Sequence, residues 1–319
     1  MGKYILKRVL LMFFVLFCIV TICFMLIRML PRELPTDKNL QEVIKARWEA
    51  LGYDKPLLVQ YGIYLKNIFT EWDFGTSWYI SPQKDAFQVI LSRLLPTVLV
   101  NLYSLVLATP IGIGLGIYAA IKKNKWQDHT ISTMVMMFVS IPSYVYAFLV
   151  QFIFAFVLGW FPLIVYSLAD AGGSWFTAKM IHSMALPVMA LSFGEIAGLC
   201  RFTRAELTET LTSDYMLLAR TKGLTRSQAT TRHALKNAMV PILPSIIGSF
   251  IGILGGSMII EQIFSVPGVG QLFIRSITLL DYDVFMMDTV FYTLISLLAG
   301  IVVDISYGFI DPRIRMGEK

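Results

Sequence analysis

The sequence has little charge and very few histidines and cysteines. Only 15% of its 319 residues are charged and 56% are hydrophobic, whereas soluble globular proteins usually carry about 25% charged residues. The three cysteines fall in apolar segments, which predicts buried small side chains and not a disulfide framework or a metal cluster. The three histidines are far apart in the sequence. This composition excludes an ordinary soluble protein and predicts a polytopic membrane protein.

Motifs for binding a nucleotide are also missing. No GxxxxGK[ST] pattern occurs, so we expect the chain to have no ATP site of its own. We find no paired carboxylates and no nucleophile beside a base that would predict catalysis. The spacing of Gly112 and Gly116, and of Gly248, Gly252 and Gly256, instead predicts close packing of helices in lipid. We therefore expect a protein that is not an enzyme and that binds no cofactor or metal.

Long apolar runs predict an all-α fold with six transmembrane helices, since about 20 apolar residues cross a hydrocarbon core of about 30 Å. The first run is too long for a signal peptide and lacks a cleavage site, so we expect it to be retained. The predicted spans lie at about 9–30, 94–121, 131–158, 184–199, 238–260 and 290–310.

The segment 31–93 differs from the rest of the chain. It carries eight basic and eight acidic residues, three tryptophans and no spanning run. Helices are predicted at 42–51 and 56–69. Because the segment is too short to bury much core of its own, we expect it to fold against the transmembrane helices. The sequence thus predicts a first helix (1–30), a water-facing insert (31–93) and a five-helix core (94–319).

The basic residues predict the orientation of the chain. Loop 122–129 and segment 201–237 hold three and seven Lys/Arg residues, whereas 159–183 and 261–289 hold one each. Cytoplasmic loops carry the excess of Lys and Arg in membrane proteins. We therefore expect 201–237 and both termini to lie in the cytoplasm and the insert to lie outside the membrane.

The segment 214–241 carries unusually clear helix signals. Ser213 or Asp214 can begin a short helix, and Gly223 suits the left-handed residue past its end. Thr225 and Gln228 form a capping box that starts a second helix. The pattern predicts a helix of about 12 Å, a sharp elbow and a helix that returns to the membrane. Leu211, Tyr215 and Leu218 form one apolar face of the short helix, which needs a cover, either lipid headgroups or a docked partner.

This segment closely resembles the "EAA" cytoplasmic loop of ABC importer permeases, in particular the peptide and nickel branch. The run from Ala219 to Leu224 and the following Arg232 to Ala238 with Pro241 carry the resemblance. Leu217 replaces the Glu of the general pattern, a departure that is common in the peptide branch. In the family this loop inserts into a groove on the ATP-binding subunit. The resemblance assigns that coupling role to Asp214, Tyr215, Leu218, Ala219, Arg220, Lys222, Gly223 and Leu224.

A second motif follows the fifth predicted span. Pro-Gly and a further Gly predict a re-entrant or tightly turned loop. The motif resembles the E-x-x-F-x-x-P-G-x-G signature of peptide and nickel permeases, which lies near the outer mouth of the pathway. The closing Asp311-Pro-Arg-Ile-Arg315 also resembles this branch. The resemblance implies an outer gate or a contact with a binding protein at Glu261, Phe264, Pro267, Gly268 and Gly270.

Two carboxylates fall inside predicted spans, where a charge is costly and often functional. Glu195 lies in the fourth span and Asp304 in the sixth. Each could face a water-filled pathway or pair with a polar neighbour. We regard both as possible pathway residues.

The resemblance implies the permease subunit of an ATP-driven importer of oligopeptides or dipeptides in the cell membrane of a prokaryote. Its implied partners are a homologous second permease, two ATP-binding subunits that hold ATP and Mg, an extracytoplasmic peptide-binding protein and membrane lipid, but no nucleic acid. A nickel or metallophore importer is the alternative within the family. An ion-coupled secondary carrier is the alternative outside it, and would need no docking loop.

Overall fold

The computed structural model describes residues 2–30, 36–50, 52 and 54–310, so the closing motif at 311–315 lies outside the described residues. Within the described residues the regular structure is helical, apart from an isolated antiparallel bridge between Thr76 and Asp85. The helices are α1 (Gly2–Arg28), α2 (Lys38–Ala50), α3 (Leu57–Glu71), α4 (Ala86–Ile121), α5 (Trp126–Ser140), α6 (Ser143–Val150), α7 (Ala178–Leu211), α8 (Asp214–Thr221), α9 (Arg226–Ala229), α10 (Leu235–Gly252), α11 (Met258–Ile263), α12 (Val269–Thr278) and α13 (Tyr282–Ile310). The π-helical segments Gln151–Val157 and Thr230–Ala234 continue α6 and join α9 to α10.

Among the described residues, five helices are long and apolar enough to cross a membrane. They are Leu6–Arg28, Ala86–Ile121, Ala178–Leu211, Arg226–Gly255 and Tyr282–Tyr307. A sixth candidate is the pair Trp126–Ser140 and Ser143–Val157, whose two parts meet at 102°. The prediction of an all-α polytopic membrane protein is confirmed.

The third predicted span, 131–158, is not one continuous helix in the structure but two helical parts with a sharp bend between them. The chain leaves the helix at Ile141, which is extended at φ −84° and ψ 127°. Pro142 follows, and a proline disfavours helical geometry in the residue before it. Continuous hydropathy across this point hid the break, so the segment is a bent pair and not one rod.

The described residues form two compact units. The first lies within Met1–Leu95 and Pro267–Leu298, and the second within Pro96–Val266 and Ala299–Lys319. Each has its own hydrophobic core. The boundaries that the sequence predicts at residues 30 and 93 stay a prediction.

In the first unit the insert folds against the first spanning helix, as the sequence predicts. The ring of Phe24 lies 5.2 Å from that of Tyr61 and 5.0 Å from that of Tyr64 on α3. The hydroxyl groups of Tyr61 and Thr21 are 2.6 Å apart. Aromatic pairs at this spacing add to the stabilisation from burial alone. The observed α3 extends the predicted helix 56–69 by two residues at its end.

A buried carboxylate holds another part of the first unit together. Asp281 accepts hydrogen bonds from the Ser77 hydroxyl (2.7 Å) and from the backbone N–H groups of Trp78 (3.2 Å), Tyr79 (3.1 Å) and Ile80 (3.1 Å). Consecutive N–H groups of this kind form a concave anion site. No local pattern in the sequence predicts this cluster, because its two halves are more than 200 residues apart.

In the second unit small residues bring α4 and α7 together. A Cβ atom at Gly112 would lie 2.8 Å from Cβ of Leu199, and one at Gly116 would lie 2.6 Å from Cβ of Thr203. Real Cβ atoms do not approach so closely, so glycine is required at both positions. The predicted packing of this Gly-x-x-x-Gly pair is confirmed.

The longer glycine row packs closely at two of its three positions, Gly248 and Gly256. A Cβ at Gly248 would lie 2.9 Å from the side chain of Val303 and one at Gly256 would lie 2.7 Å from that of Thr97, but one at Gly252 would meet nothing within 4 Å. Gly256 lies past the helix, at φ +63°, where the chain turns into α11. The fifth spanning helix therefore ends before the predicted residue 260. Its end lies at Gly256 because the left-handed backbone that breaks the helix there is one that glycine adopts without strain.

Candidate functional site

The short helix of the predicted elbow is present as α8, which spans eight residues, or about 12 Å. Ser213 precedes it, but its hydroxyl donates to the carbonyl of Thr210 at 2.6 Å. No described side chain caps the first turn of α8. The expected capping role of Ser213 or Asp214 is therefore not seen, since the Ser213 hydroxyl closes the end of α7 instead.

The end of α8 has the predicted left-handed glycine. Gly223 has φ +89°, and Lys222 is the last residue before it. The N–H of Gly223 donates to the carbonyl of Arg220 (3.0 Å), and the N–H of Leu224 donates to that of Ala219 (3.3 Å). These two bonds define a Schellman motif, which satisfies carbonyls that the helix end would otherwise leave unpaired. The elbow is thus fixed by its own backbone.

The second helix of the elbow starts with the predicted capping box. The N–H of Gln228 donates to the Thr225 hydroxyl at 3.3 Å, and the Gln228 side chain accepts from the Thr225 N–H at 3.1 Å. This helix is the first part of the long helical segment Arg226–Gly255, one of the five candidates for crossing the membrane. A movement of the elbow is therefore a movement of one end of a spanning segment.

One side of α8 is built into the second unit. Met216 and Ala219 are buried in a small cluster with Ala120 of α4, Leu207 of α7 and Ala238 of α10. Leu211 and Leu224 pack against the same cluster. The alanines allow close approach within this cluster, and the main neighbours of α8 are α9 and the segment Thr230–Ala234, which leads into α10.

This packing corrects the predicted face of α8. We expected Ala219 to be a small residue that a partner approaches, but its side chain is only 6% exposed inside the cluster. Leu211, expected on the outward face, also contacts the cluster. The buried positions are 216 and 219, one helical turn apart, which turns the neighbouring positions outward.

The outward side of α8 is apolar at its centre and charged at its ends. Tyr215, Leu217 and Leu218 are 37%, 65% and 55% exposed. Leu217 is not among the coupling residues that the resemblance implies, although it is the most exposed of the three. Two neighbouring turns of the same helix thus expose three large apolar side chains. Asp214, Arg220 and Lys222 are exposed around them.

An ion pair braces the adjacent loop against α7. Asp128 is 1% exposed and accepts from Nη2 of Arg204 at 2.8 Å, in a two-point contact completed by Nε. Asp128 also accepts from the N–H of Asn124 at 2.9 Å. The contact ties the basic loop before α5 to the helix that leads into α8. The sequence analysis did not identify it, because the two partners are 76 residues apart.

The outer motif turns tightly, as predicted. In the second unit Glu261 is 1% exposed and accepts from the Thr97 hydroxyl at 3.0 Å. A Cβ at Gly256 would collide with the Glu261 carboxylate, so only a glycine at position 256 leaves room for the carboxylate in this place. Phe264 is buried, and its carbonyl accepts from the N–H of Val165 at 2.9 Å. These two side chains are packing residues in this structure and do not form an exposed docking surface.

The remaining residues of the motif belong to the first unit. Gly268 and Gly270 are buried and Pro267 is half-buried. Gly268 immediately precedes α12. The expected contact of these residues with a binding protein therefore stays a prediction, and their observed role is to start a helix.

The two intramembrane carboxylates have different surroundings. Glu195 accepts from the Ser249 hydroxyl at 2.8 Å and lines a hollow of about 250 Å³, which we term the central hollow. Asn101 and Ser104 of α4 line the same space. Asp304 is half-buried on α13 and is not among the residues that line the central hollow. The structure thus makes Glu195 the stronger pathway candidate.

Comparison with known proteins assigns the chain to a family. Residues 112–316 match the family described as binding-protein-dependent transport system inner membrane component. Residues 1–83 match the N-terminal family of binding-protein-dependent transport system membrane components. Together these matches cover most of the chain.

Relatives are similar over the whole length. The chain is 36% identical over 317 residues to the dipeptide transport system permease protein DppB of Lactococcus lactis subsp. cremoris, which covers 99% of this chain and 100% of the relative. It is 35% identical to the Bacillus subtilis protein of the same name, over 100% of both chains. It is 32% identical to the glutathione transport system permease protein GsiC of Escherichia coli K12, over 99% of both.

These matches agree with the motifs and with the polytopic helical fold. They confirm the resemblance to the peptide and nickel branch that the elbow indicates. The chain is a multi-pass membrane protein and a transport subunit, and it belongs to the family of binding-protein-dependent transport system inner membrane components, the permeases of ABC importers.

Proposed function

We propose that this chain is one of two permease subunits of an ATP-driven importer of short peptides. The observation that carries the proposal is that α8 has one buried face and one exposed face. The buried face lies in a cluster with residues of three spanning helices, and the exposed face carries Tyr215, Leu217 and Leu218. An exposed apolar patch ringed by charge suits a protein partner. The full-length similarity to dipeptide and glutathione permeases supports peptides as the substrate.

The elbow transmits force from the ATP-binding subunit to the pathway. The partner covers the outward side of α8, with Asp214, Arg220 and Lys222 at the edge of the contact. Met216 and Ala219 share one cluster with residues of α4, α7 and α10, and α8 contacts the segment Thr230–Ala234 that leads into α10, so a displacement of α8 is passed to this end of the spanning helices. Gly223 and Leu224 hold the angle between α8 and the next helix. ATP and Mg are bound by the partner subunits and not by this chain.

The complex contains a homologous second permease, two ATP-binding subunits and an extracytoplasmic peptide-binding protein, in the cell membrane of a prokaryote. Both termini and the elbow face the cytoplasm. The support for this orientation is the excess of Lys and Arg in 201–237 over the loops of the opposite side. The insert faces outward, where the binding protein docks.

Uptake into proteoliposomes tests the function. The complete complex should import a radiolabelled dipeptide when ATP is supplied on the ATPase side, and omission of the ATP-binding subunits should abolish uptake. Uptake of nickel or a metallophore in place of peptide would show that the chain belongs to a nickel or metallophore importer, the alternative within the family. Uptake driven by an ion gradient without the ATP-binding subunits would contradict the proposal.

A further inference from the structure

Glu195 lies on the spanning helix α7, within the stretch 184–199 that the sequence predicts to cross the membrane. An ionised side chain within a span is costly, and in membrane proteins it usually faces a pathway or a charged partner. Glu195 lines the central hollow, so a pathway is the environment that the structure offers it.

The chain itself does not neutralise this carboxylate. The Ser249 hydroxyl donates to its Oε1 at 2.8 Å. No Lys, Arg or His of the part of the chain that the structure describes forms an ion pair with it. One neutral hydroxyl donor does not replace a counter-ion. The negative charge is therefore available to a positively charged group that enters the central hollow.

Asn101 and Ser104, which line the same hollow as Glu195, also carry oxygen atoms that can accept hydrogen bonds. Asn101 donates through Nδ2 to the carbonyl of Thr97 at 2.8 Å, which assigns its Oδ1 as an acceptor. Ser104 shares a hydrogen bond with Ser192 at 3.2 Å, on the same faces of α4 and α7. A carboxylate with neutral oxygen acceptors suits a compact cation that carries several N–H donors. Within the described residues no group of three or more His, Cys, Asp or Glu side chains could hold a metal ion.

We propose that the central hollow binds the alkylammonium group of a passing peptide, with Glu195 as its counter-ion. The inference rests on the proposed function and adds the chemical group that the permease recognises. A primary ammonium has three N–H donors, which the Glu195 carboxylate and the neighbouring oxygens can accept. The ammonium can come from the peptide N-terminus or from a lysine side chain.

Protection of a cysteine against labelling tests the site without the binding protein. Gly252 lines the hollow, and a Cβ there would meet nothing within 4 Å, so Gly252→Cys fits. The assembled permease and ATPase subunits carrying this variant are treated with a small uncharged maleimide, and the protein without Gly252→Cys gives the background from Cys18, Cys23 and Cys200. The competitors are glycyl-leucine and its N-acetyl derivative. We expect glycyl-leucine to give half-protection at a concentration at least about tenfold lower than the acetylated peptide, as a charge-assisted bond implies.

Glu195→Gln should abolish the difference between the two peptides. The matched control is Glu206→Gln, the same substitution on the same helix outside the central hollow, which should preserve the difference. N-acetyl-lysine amide separates the two sources. Protection as good as that by glycyl-leucine assigns the site to any alkylammonium, and weak protection assigns it to the peptide N-terminus. Equal protection by glycyl-leucine and its acetyl derivative, including none by either, would overturn the inference, as would a difference that survives Glu195→Gln. ATP-driven peptide uptake by the wild-type complex reports on the proposed function independently of these results.

Discussion

The elbow makes a sharp prediction at Gly223. Its φ of +89° is a conformation that side chains with a Cβ adopt with strain. A Cβ there would meet nothing within 4 Å, so a substitution introduces backbone strain without a steric clash. For a left-handed residue this strain is about 1–2 kcal/mol. Gly223→Val should therefore shift the equilibrium of the elbow by about 5–30-fold.

The effect should be confined to coupling. The Schellman bonds of Gly223 and Leu224 are lost first, which loosens α8 in the cluster that buries Met216 and Ala219. The spanning helices do not depend on these bonds. We expect normal membrane insertion and normal capture of the binding protein, but weaker association of the ATP-binding subunit and slower transport, in the same proportion.

Co-purification of the ATP-binding subunit and peptide uptake, measured on the same preparations, check this prediction. Gly223→Asn is the matched control, because asparagine tolerates the left-handed region better than valine does, and its losses should be clearly smaller. Thr231→Ser, on the exposed side of the following helix, should be nearly silent. If Gly223→Val assembles and transports like the wild type, the docking account of the elbow is wrong and lipid headgroups cover α8 instead.

Three further predictions follow from orientation, packing and charge. From outside intact cells, a cysteine at Gln41 should be labelled and one at Ser227 should not; the reverse pattern would refute the orientation. Gly116→Ala should lower the thermal stability of the solubilised complex by about 1–3 kcal/mol through overpacking, whereas Gly114→Ala, with nothing within 4 Å, should not; equal effects would contradict the close packing of α4 on α7. Arg204→Ala should destabilise the complex by about 1–3 kcal/mol, because it removes the charged partner of a buried carboxylate that keeps its bond from the Asn124 N–H, and no measurable change would show that this ion pair is not a brace.

Local signals explain why the elbow could be predicted from the sequence. The left-handed Gly223 and the capping box of Thr225 and Gln228 depend on residues within a few positions of one another. The spanning helices could be predicted for a similar reason, since hydropathy is a property of each segment. The break before Pro142 was missed because the residues on both sides remain apolar.

Contacts between distant segments could not be predicted in this way. The sequence places Asp128 in loop 122–129 and Arg204 in segment 201–237, and only the fold brings their side chains within 2.8 Å of each other. The same holds for Glu195 and Ser249, which line one hollow from α7 and α10. The prediction that Ala219 faces a partner is wrong for a related reason. Helical spacing shows which residues of α8 share a face, but it does not show which face is buried by the rest of the same chain.

Crosslinking from the two sides of α8 tests the central claim most directly. Leu217 is 65% exposed and Met216, its neighbour, is 5% exposed. With a photoreactive amino acid at position 217, we expect a crosslink to the ATP-binding subunit that changes in yield when ATP is added. The same amino acid at position 216 should crosslink only within this chain. Crosslinking of position 217 to lipid alone, or equal crosslinking to the ATP-binding subunit from both positions, would contradict the account.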